Sequence, residues 1–278
     1  MTEAQAFSSW TGPQGTLGEL VSASHARADA LRRKAPELER TARAAAATPR
    51  LRAALRTDQV AIIAELKRAS PSRGAINTGL NASDQASAYE RGGAAAISVL
   101  TEPDRFGGCN DDLAKVRAAV GIPVLKKDFH IDRVQLLEAR ALGSSAALVI
   151  VRAVPPARLA ELLLVGRDID LEILVEVRNE TELDLALSLG AQIIGVNNRD
   201  LETLAVDTST VDRILSLIPR SCCAVAESGF ETRADVERAA ASGADAVLVG
   251  SVLSRSAEPE EAVRSMAGIT RIPDARQN

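Results

Sequence analysis

Short apolar runs alternating with amphipathic stretches from residue 60 to residue 266 constrain this chain more than any other feature. The runs are Val60–Leu66, Ala94–Leu100, Ile122–Leu125, Ala146–Val151, Leu171–Val177, Gln192–Val196, Cys222–Ala226 and Ala244–Val249. Apolar runs of this length, bounded by turn residues, read as buried strands. Helical patterns separate them at Ala82–Arg91, Asp111–Val120, Arg133–Leu142, Pro156–Gly166, Glu180–Leu189, Thr208–Leu217 and Thr232–Ala241, and a last one follows at Glu258–Met266. Gly92-Gly93, Gly121, Gly143, Gly190 and Gly243 stand where helices should close before strands. Strands and helices alternating every ~20–35 residues predict an α/β fold of the (β/α)8 barrel type. A doubly wound open sheet is the alternative. It would usually carry a glycine-rich fingerprint after its first strand, and Ser70-Pro-Ser-Arg-Gly74 is not G-x-G-x-x-G.

Residues 1–56 stand outside that rhythm. Leu17, Leu20, Val21 and Leu31 fall partly at helical spacing, an Ala-rich segment follows from Leu38 to Ala47, and Pro36 and Pro49 punctuate the stretch. The expectation is an N-terminal helical extension over 1–56 packed on a barrel over 57–278, the two forming one structural domain.

Composition narrows the function class. With 46% hydrophobic residues the 278-residue chain can fill a large core. The net charge of −4 gives no basic footprint for nucleic acid. The N-terminus lacks a signal-peptide pattern, and no apolar run approaches membrane-spanning length, so a soluble cytoplasmic protein is expected. Cys109, Cys222 and Cys223, with His25 and His130, make no metal-ligand spacing or disulfide framework, so no metal is assigned. Cys222 and Cys223 read as buried, inert thiols.

Barrel enzymes build their sites at the C-terminal ends of the strands. Side chains alternate faces along a strand, so Glu65 and Lys67 point the same way at the end of the first run. By the same parity Lys127 follows Leu125, Glu176 follows Leu174, Asn197 and Arg199 follow Gly195, and Glu227 follows Val225. One inward ring therefore carries three carboxylates, two lysines, an arginine and an asparagine. Opposite charges held there are costly unless paired or used. The last two strand ends, Glu227-Ser-Gly229 and Val249-Gly250-Ser251, offer small residues whose backbone N–H groups can approach an anion. Barrel phosphate sites are commonly built there, and closure would bring Lys67 and Ser70 to the same place; plain turn glycines are the other reading.

These residues carry a resemblance. Ile62-Ile-Ala-Glu-Leu-Lys-Arg-Ala-Ser-Pro-Ser-Arg-Gly74 resembles the first-strand signature of the indole-3-glycerol-phosphate synthase family of tryptophan biosynthesis. Ile97-Ser-Val-Leu-Thr-Glu102 with Phe106-Gly-Gly, Pro123-Val-Leu-Lys-Lys-Asp-Phe129 and Leu174-Val-Glu-Val177 match in order. Ile194-Gly-Val-Asn-Asn-Arg-Asp-Leu201, Ala226-Glu-Ser-Gly229 and Val247-Leu-Val-Gly-Ser251 continue the series.

The resemblance implies ring closure of 1-(2-carboxyphenylamino)-1-deoxyribulose 5-phosphate with loss of carbon dioxide and water, and no cofactor. It implies Lys127 as general acid for ring closure and Lys67 as an aid to dehydration near the phosphate. Glu176 would be general base or charge stabiliser, Glu65 and Glu227 partners of the lysines, and Asn197 a positioning group. Arg199 and Ser70 would engage the substrate carboxylate, Phe106 the aromatic ring, and Ser228, Gly229, Gly250 and Ser251 the phosphate. The only partner implied is the small phosphorylated substrate, with no nucleic acid or membrane; a monomer is expected, in at most weak association with other enzymes of the pathway. Cys109, His130 and Arg152-Ala-Val-Pro155 depart from the pattern, and the N-terminal region matches loosely. These departures leave room for altered kinetics or for a duplicate enzyme of a specialised indole pathway. Separately, because fold alone does not fix function, a non-catalytic phosphate-binding barrel partner is the alternative from another class, against which the intact polar set argues.

Overall fold

The computed structural model describes residues 10–272 and 275–276. Strands β1 (Ala61–Leu66), β2 (Ala96–Leu100), β3 (Val124–Lys127), β4 (Ala146–Ile150), β5 (Glu172–Val177), β6 (Ile193–Asn197), β7 (Cys223–Glu227) and β8 (Ala246–Val249) pair in parallel and in chain order. β8 then pairs with β1, with Ala61 beside Ala246 and Ala64 beside Val249, and the sheet closes into a barrel. The open-sheet alternative is excluded. Apart from Lys127 at the end of β3 and Glu172 at the start of β5, these strands are buried, which is why they read as continuous apolar runs rather than alternating ones.

Three helices precede the barrel: α1 (Gly15–Arg32), α2 (Ala35–Ala44) and α3 (Leu51–Leu55). α1 reaches the mouth of the barrel, where Thr16 and Leu20 line the central cavity. α3 sits at the opposite end, where the Arg52 N–H donates to Glu172 at the start of β5, and its Leu51 and Leu55 are fully buried. Pro36 does not break α2 but occupies its first turn, where a missing N–H costs nothing.

The remaining helices follow the strands: α4 (Ala82–Arg91), α5 (Asn110–Ala119), α6 (Arg133–Ala141), α7 (Pro156–Asp168), α8 (Glu180–Ser188), α9 (Ser209–Leu215), α10 (Arg233–Ala241), α11 (Ser251–Arg255) and α12 (Pro259–Met266). Local chemistry fixes several starts. Asn81 and Asn179 accept N–H bonds from the first turns of α4 and α8, and Asp132 and Thr232 form capping boxes for α6 and α10. Two short elements were not expected: α11, directly after β8, and a hairpin pairing Ala69–Ser70 with Gly74–Ala75. Neither has the length for a periodic signal, and both sit at the barrel mouth. Cys222 and Cys223 are buried, and burial pushes the Cys223 thiol well above its ordinary range; Cys109 is exposed at the start of α5.

Candidate active site

Each residue expected at the site lines one cavity of about 420 Å³ at the C-terminal ends of the strands. The ring is built from alternate positions. On β1, Glu65 points inward and Lys67, just past the strand end, folds back to place Nζ 2.5 Å from Glu65 Oε1. β3 supplies Lys127, whose Nζ lies 2.8 Å from Glu227 Oε2 on β7 and 3.4 Å from Glu176 Oε2 on β5. From β6, Asn197 Nδ2 donates to Glu176 Oε1 at 2.9 Å, and Asn197 Oδ1 accepts the Arg199 backbone N–H at 2.8 Å. Lys127 therefore sits between two carboxylates, one of which is itself oriented by an amide.

Two glycines make room for this ring. A Cβ on Gly195 would stand 2.1 Å from Glu227 Oε1, and one on Gly250 would stand 2.4 Å from Glu65 Oε1. The Gly195 requirement is purely spatial. Gly195 lies in β6 in register with Glu176 and Val225, and the Glu227 carboxylate fills the space a side chain there would take.

Burial sets the charges. Burial pushes Glu227 up to about 7, opposed by Lys127 and assisted by Glu176. Burial alone would lower Lys127, but Glu227, Glu176 and Glu65 outweigh it and hold the ammonium well above its ordinary value. The Arg199 guanidinium is lowered by burial and by the nearby Arg73; its Nη1 donates to Leu204 O at 2.9 Å. Among the described residues no carboxylate stands within ion-pair distance of Arg199. Arg199 lines the cavity.

The rest of the cavity divides by character. Phe106 and Phe129, with ring centroids 6.2 Å apart, join Leu20, Leu100, Leu148 and Ile150 in an apolar wall. Opposite lie Ser70, Ser228, Gly229, Gly250 and Ser251. Ser228 and Gly229 both have positive φ (66° and 82°), and the Asn198 amide donates to Ser228 O at 2.9 Å, holding the turn. Sequence reasoning missed Phe129, Arg73, Leu20 and Glu231 as lining residues. Phe129 lies two positions beyond Lys127, and the parity used for Lys127 extends to it. Arg73, which pairs with Glu231 at 2.5 Å across the mouth, gives no such signal.

The departures fall off the cavity. Arg152 lies in a short 3₁₀ turn (Val151–Ala153) and donates to Thr11 O, Gly12 O and Glu202. His130 is buried, bonds Leu148 O through Nδ1, and is pushed down to about 4 by burial and the nearby Lys126. Among the described residues no three His, Cys, Asp or Glu side chains converge to hold a metal ion, and no helix is long and apolar enough to cross a membrane.

The closed barrel is of the (β/α)8 class, and the lysines paired with buried carboxylates at its C-terminal face are groups suited to proton transfer. A thiamine phosphate pyrophosphorylase from Pyrococcus furiosus shares the fold, with a TM-score of 0.57 at 14% identity over 74% of this chain and 93% of that one. A family model described as indole-3-glycerol phosphate synthase matches residues 17–266, and the chain belongs to that family. Indole-3-glycerol phosphate synthase 2 of Streptomyces coelicolor is 43% identical over 91% of this chain and 99% of its own length. The synthases of Mycolicibacterium vanbaalenii (48%; 86% and 90% covered) and Listeria monocytogenes (47%; 76% and 83%) are similar to it as well.

Proposed function

We infer that this protein closes the indole ring of 1-(2-carboxyphenylamino)-1-deoxyribulose 5-phosphate, releasing carbon dioxide and water to leave indole-3-glycerol phosphate, in tryptophan biosynthesis. The observation that carries the assignment of roles is the Lys127 ammonium held between Glu227 and Glu176 at the floor of a half-apolar cavity. Attack of the carboxylate-bearing ring carbon on the ketone turns a carbonyl oxygen into an alkoxide. That oxygen needs a proton or a fixed cation in the transition state. Lys127 supplies it, and the carboxylates around it keep it protonated until then. Loss of carbon dioxide restores the aromatic ring.

The new hydroxyl must then leave as water while a carbon-bound proton departs. Lys67, held by Glu65, is the second acid, and Glu176, fixed by Asn197, the base. Arg199 takes the substrate carboxylate, for which a planar guanidinium is matched, with Ser70 beside it. Phe106 packs against the anthranilate ring. Ser228, Gly229, Gly250 and Ser251 take the phosphate, an anion suited to backbone N–H groups in a tight turn.

The test is a fluorescence assay of indole formation. The wild-type enzyme is expected to turn the substrate over, and Lys127→Ala to lose about 10²–10⁴-fold in kcat, the usual worth of a positioned acid. Undiminished turnover in that variant would remove Lys127 from the mechanism.

A further inference from the structure

Arg27 of α1 reaches between two loops of the barrel mouth, although it does not itself line the catalytic cavity. Its Nη1 lies 3.5 Å from Glu102 Oε1 and its Nη2 2.9 Å from Asp128 Oδ1. Glu102, fully buried after β2, is the frame of the loop that carries Phe106. Its carboxylate accepts the backbone N–H groups of Asp104, Arg105 and Phe106 at 3.1, 2.8 and 3.1 Å. Asp128 does the same for the next loop. Its Oδ1 accepts the Phe129 N–H at 2.8 Å, and its Oδ2 accepts Thr101 Oγ1 at 2.7 Å.

One turn earlier on α1, Ser24 Oγ donates to Phe129 O at 2.5 Å and accepts from Gln135 Nε2 at 2.8 Å. Thus the loops bearing Phe106 and Phe129 converge on one guanidinium. A planar fork can hold two carboxylates in fixed relative geometry; an ammonium cannot. The two rings so fixed are the neighbours on the apolar wall, tilted by 40° with centroids 6.2 Å apart.

We propose that Arg27 is a positioning residue for substrate binding: by bridging Glu102 and Asp128 it locks Phe106 and Phe129 into the wall against which the substrate's aromatic ring packs. The inference rests on the reaction assigned above. A merely structural staple between α1 and the barrel would make a different prediction, since it would lower stability and leave affinity alone.

The experiment compares wild type, Arg27→Met, Arg27→Lys and Phe106→Leu for KM, kcat, Tm and the dissociation constant of an unreactive substrate analogue whose ketone is reduced to the alcohol. Losing a hydrogen-bonded charge pair predicts roughly a tenfold rise in KM and in analogue dissociation constant for Arg27→Met, with kcat little changed. Arg27→Lys should fall between, because it can reach one carboxylate but not bridge both. Adding Phe106→Leu to Arg27→Met should cost less than the sum of the two, since one acts through the other. A lowered Tm with KM and analogue affinity unchanged overturns the proposal, as does strict additivity. Should Arg27→Met not fold, wild-type affinity in Arg27→Lys overturns it equally. A wild-type enzyme that makes no indole would overturn the reaction assignment instead, while the analogue titration still reads Arg27 by itself.

Discussion

Glu227 is a carboxyl whose protonation bears directly on Lys127. Burial raises its carboxyl to about 7, far above the ordinary carboxylate range. Ionised, it anchors Lys127 at 2.8 Å; protonated, it loses much of that attraction. A carboxyl raised in the folded protein takes up its proton as pH falls through that raised value. The profile of kcat/KM should therefore fall on the acid side with an inflection near 7. Glu227→Gln should flatten that limb onto a lowered plateau, and a profile identical to wild type would detach Glu227 from Lys127. At this scale the sequence was informative because strand parity alone selects Glu65, Lys127, Glu176, Asn197 and Glu227. It could not show that Lys127 has two carboxylates within 3.4 Å while Arg199 has none within ion-pair distance among the described residues, since those distances arise only when separate strands close.

Strands and helices were legible where their signal is periodic and blurred where tertiary pairing decides. β3 extends through Lys126 and Lys127, past the apolar run that ended at Leu125, because β2 pairs with it through Leu100 and Lys127. Charged residues hide a strand from a hydrophobic pattern, yet here the sheet carries one lysine inward and the other outward to Glu138. Within β6, Gly195 leaves the space that the Glu227 carboxylate occupies. Gly195→Ala would force its methyl onto the Glu227 carboxylate, a movable side chain rather than backbone. The expected outcome is a folded barrel, unchanged in circular dichroism, with kcat reduced at least tenfold as Glu227 is displaced from Lys127, a loss equivalent to about 1.4 kcal/mol of transition-state stabilisation. Full activity would mean that the Glu227 placement is not required.

Across the whole molecule, the two ends of the barrel have separate tasks. The mouth holds the proposed catalytic ring, and the base is braced by buried ions. Asp245, fully buried before β8, accepts the Ala224 N–H, pairs with Arg271, and meets Arg276 Nη2 at 2.8 Å, so residues near the C-terminus are tied to the strand starts. Asp245→Asn leaves buried guanidinium charge unpaired and should cost about 3–5 kcal/mol in urea unfolding, with KM unaltered in the fraction that remains folded. A stability within 1 kcal/mol of wild type, against the typical surface-substitution effect of about 0.5 kcal/mol, would show the brace to be replaceable. None of this was legible beforehand, because Asp245, Arg271 and Arg276 belong to no period and meet only after closure. The thiols divide along the same axis. Cys222 and Cys223 are sealed at the base, while Cys109 is open to solvent three residues from Phe106. A maleimide fluorophore should therefore couple to the native enzyme at one defined address. Its emission would then report, in real time and without any engineered cysteine, how the aromatic side of the pocket responds as substrate arrives and product leaves.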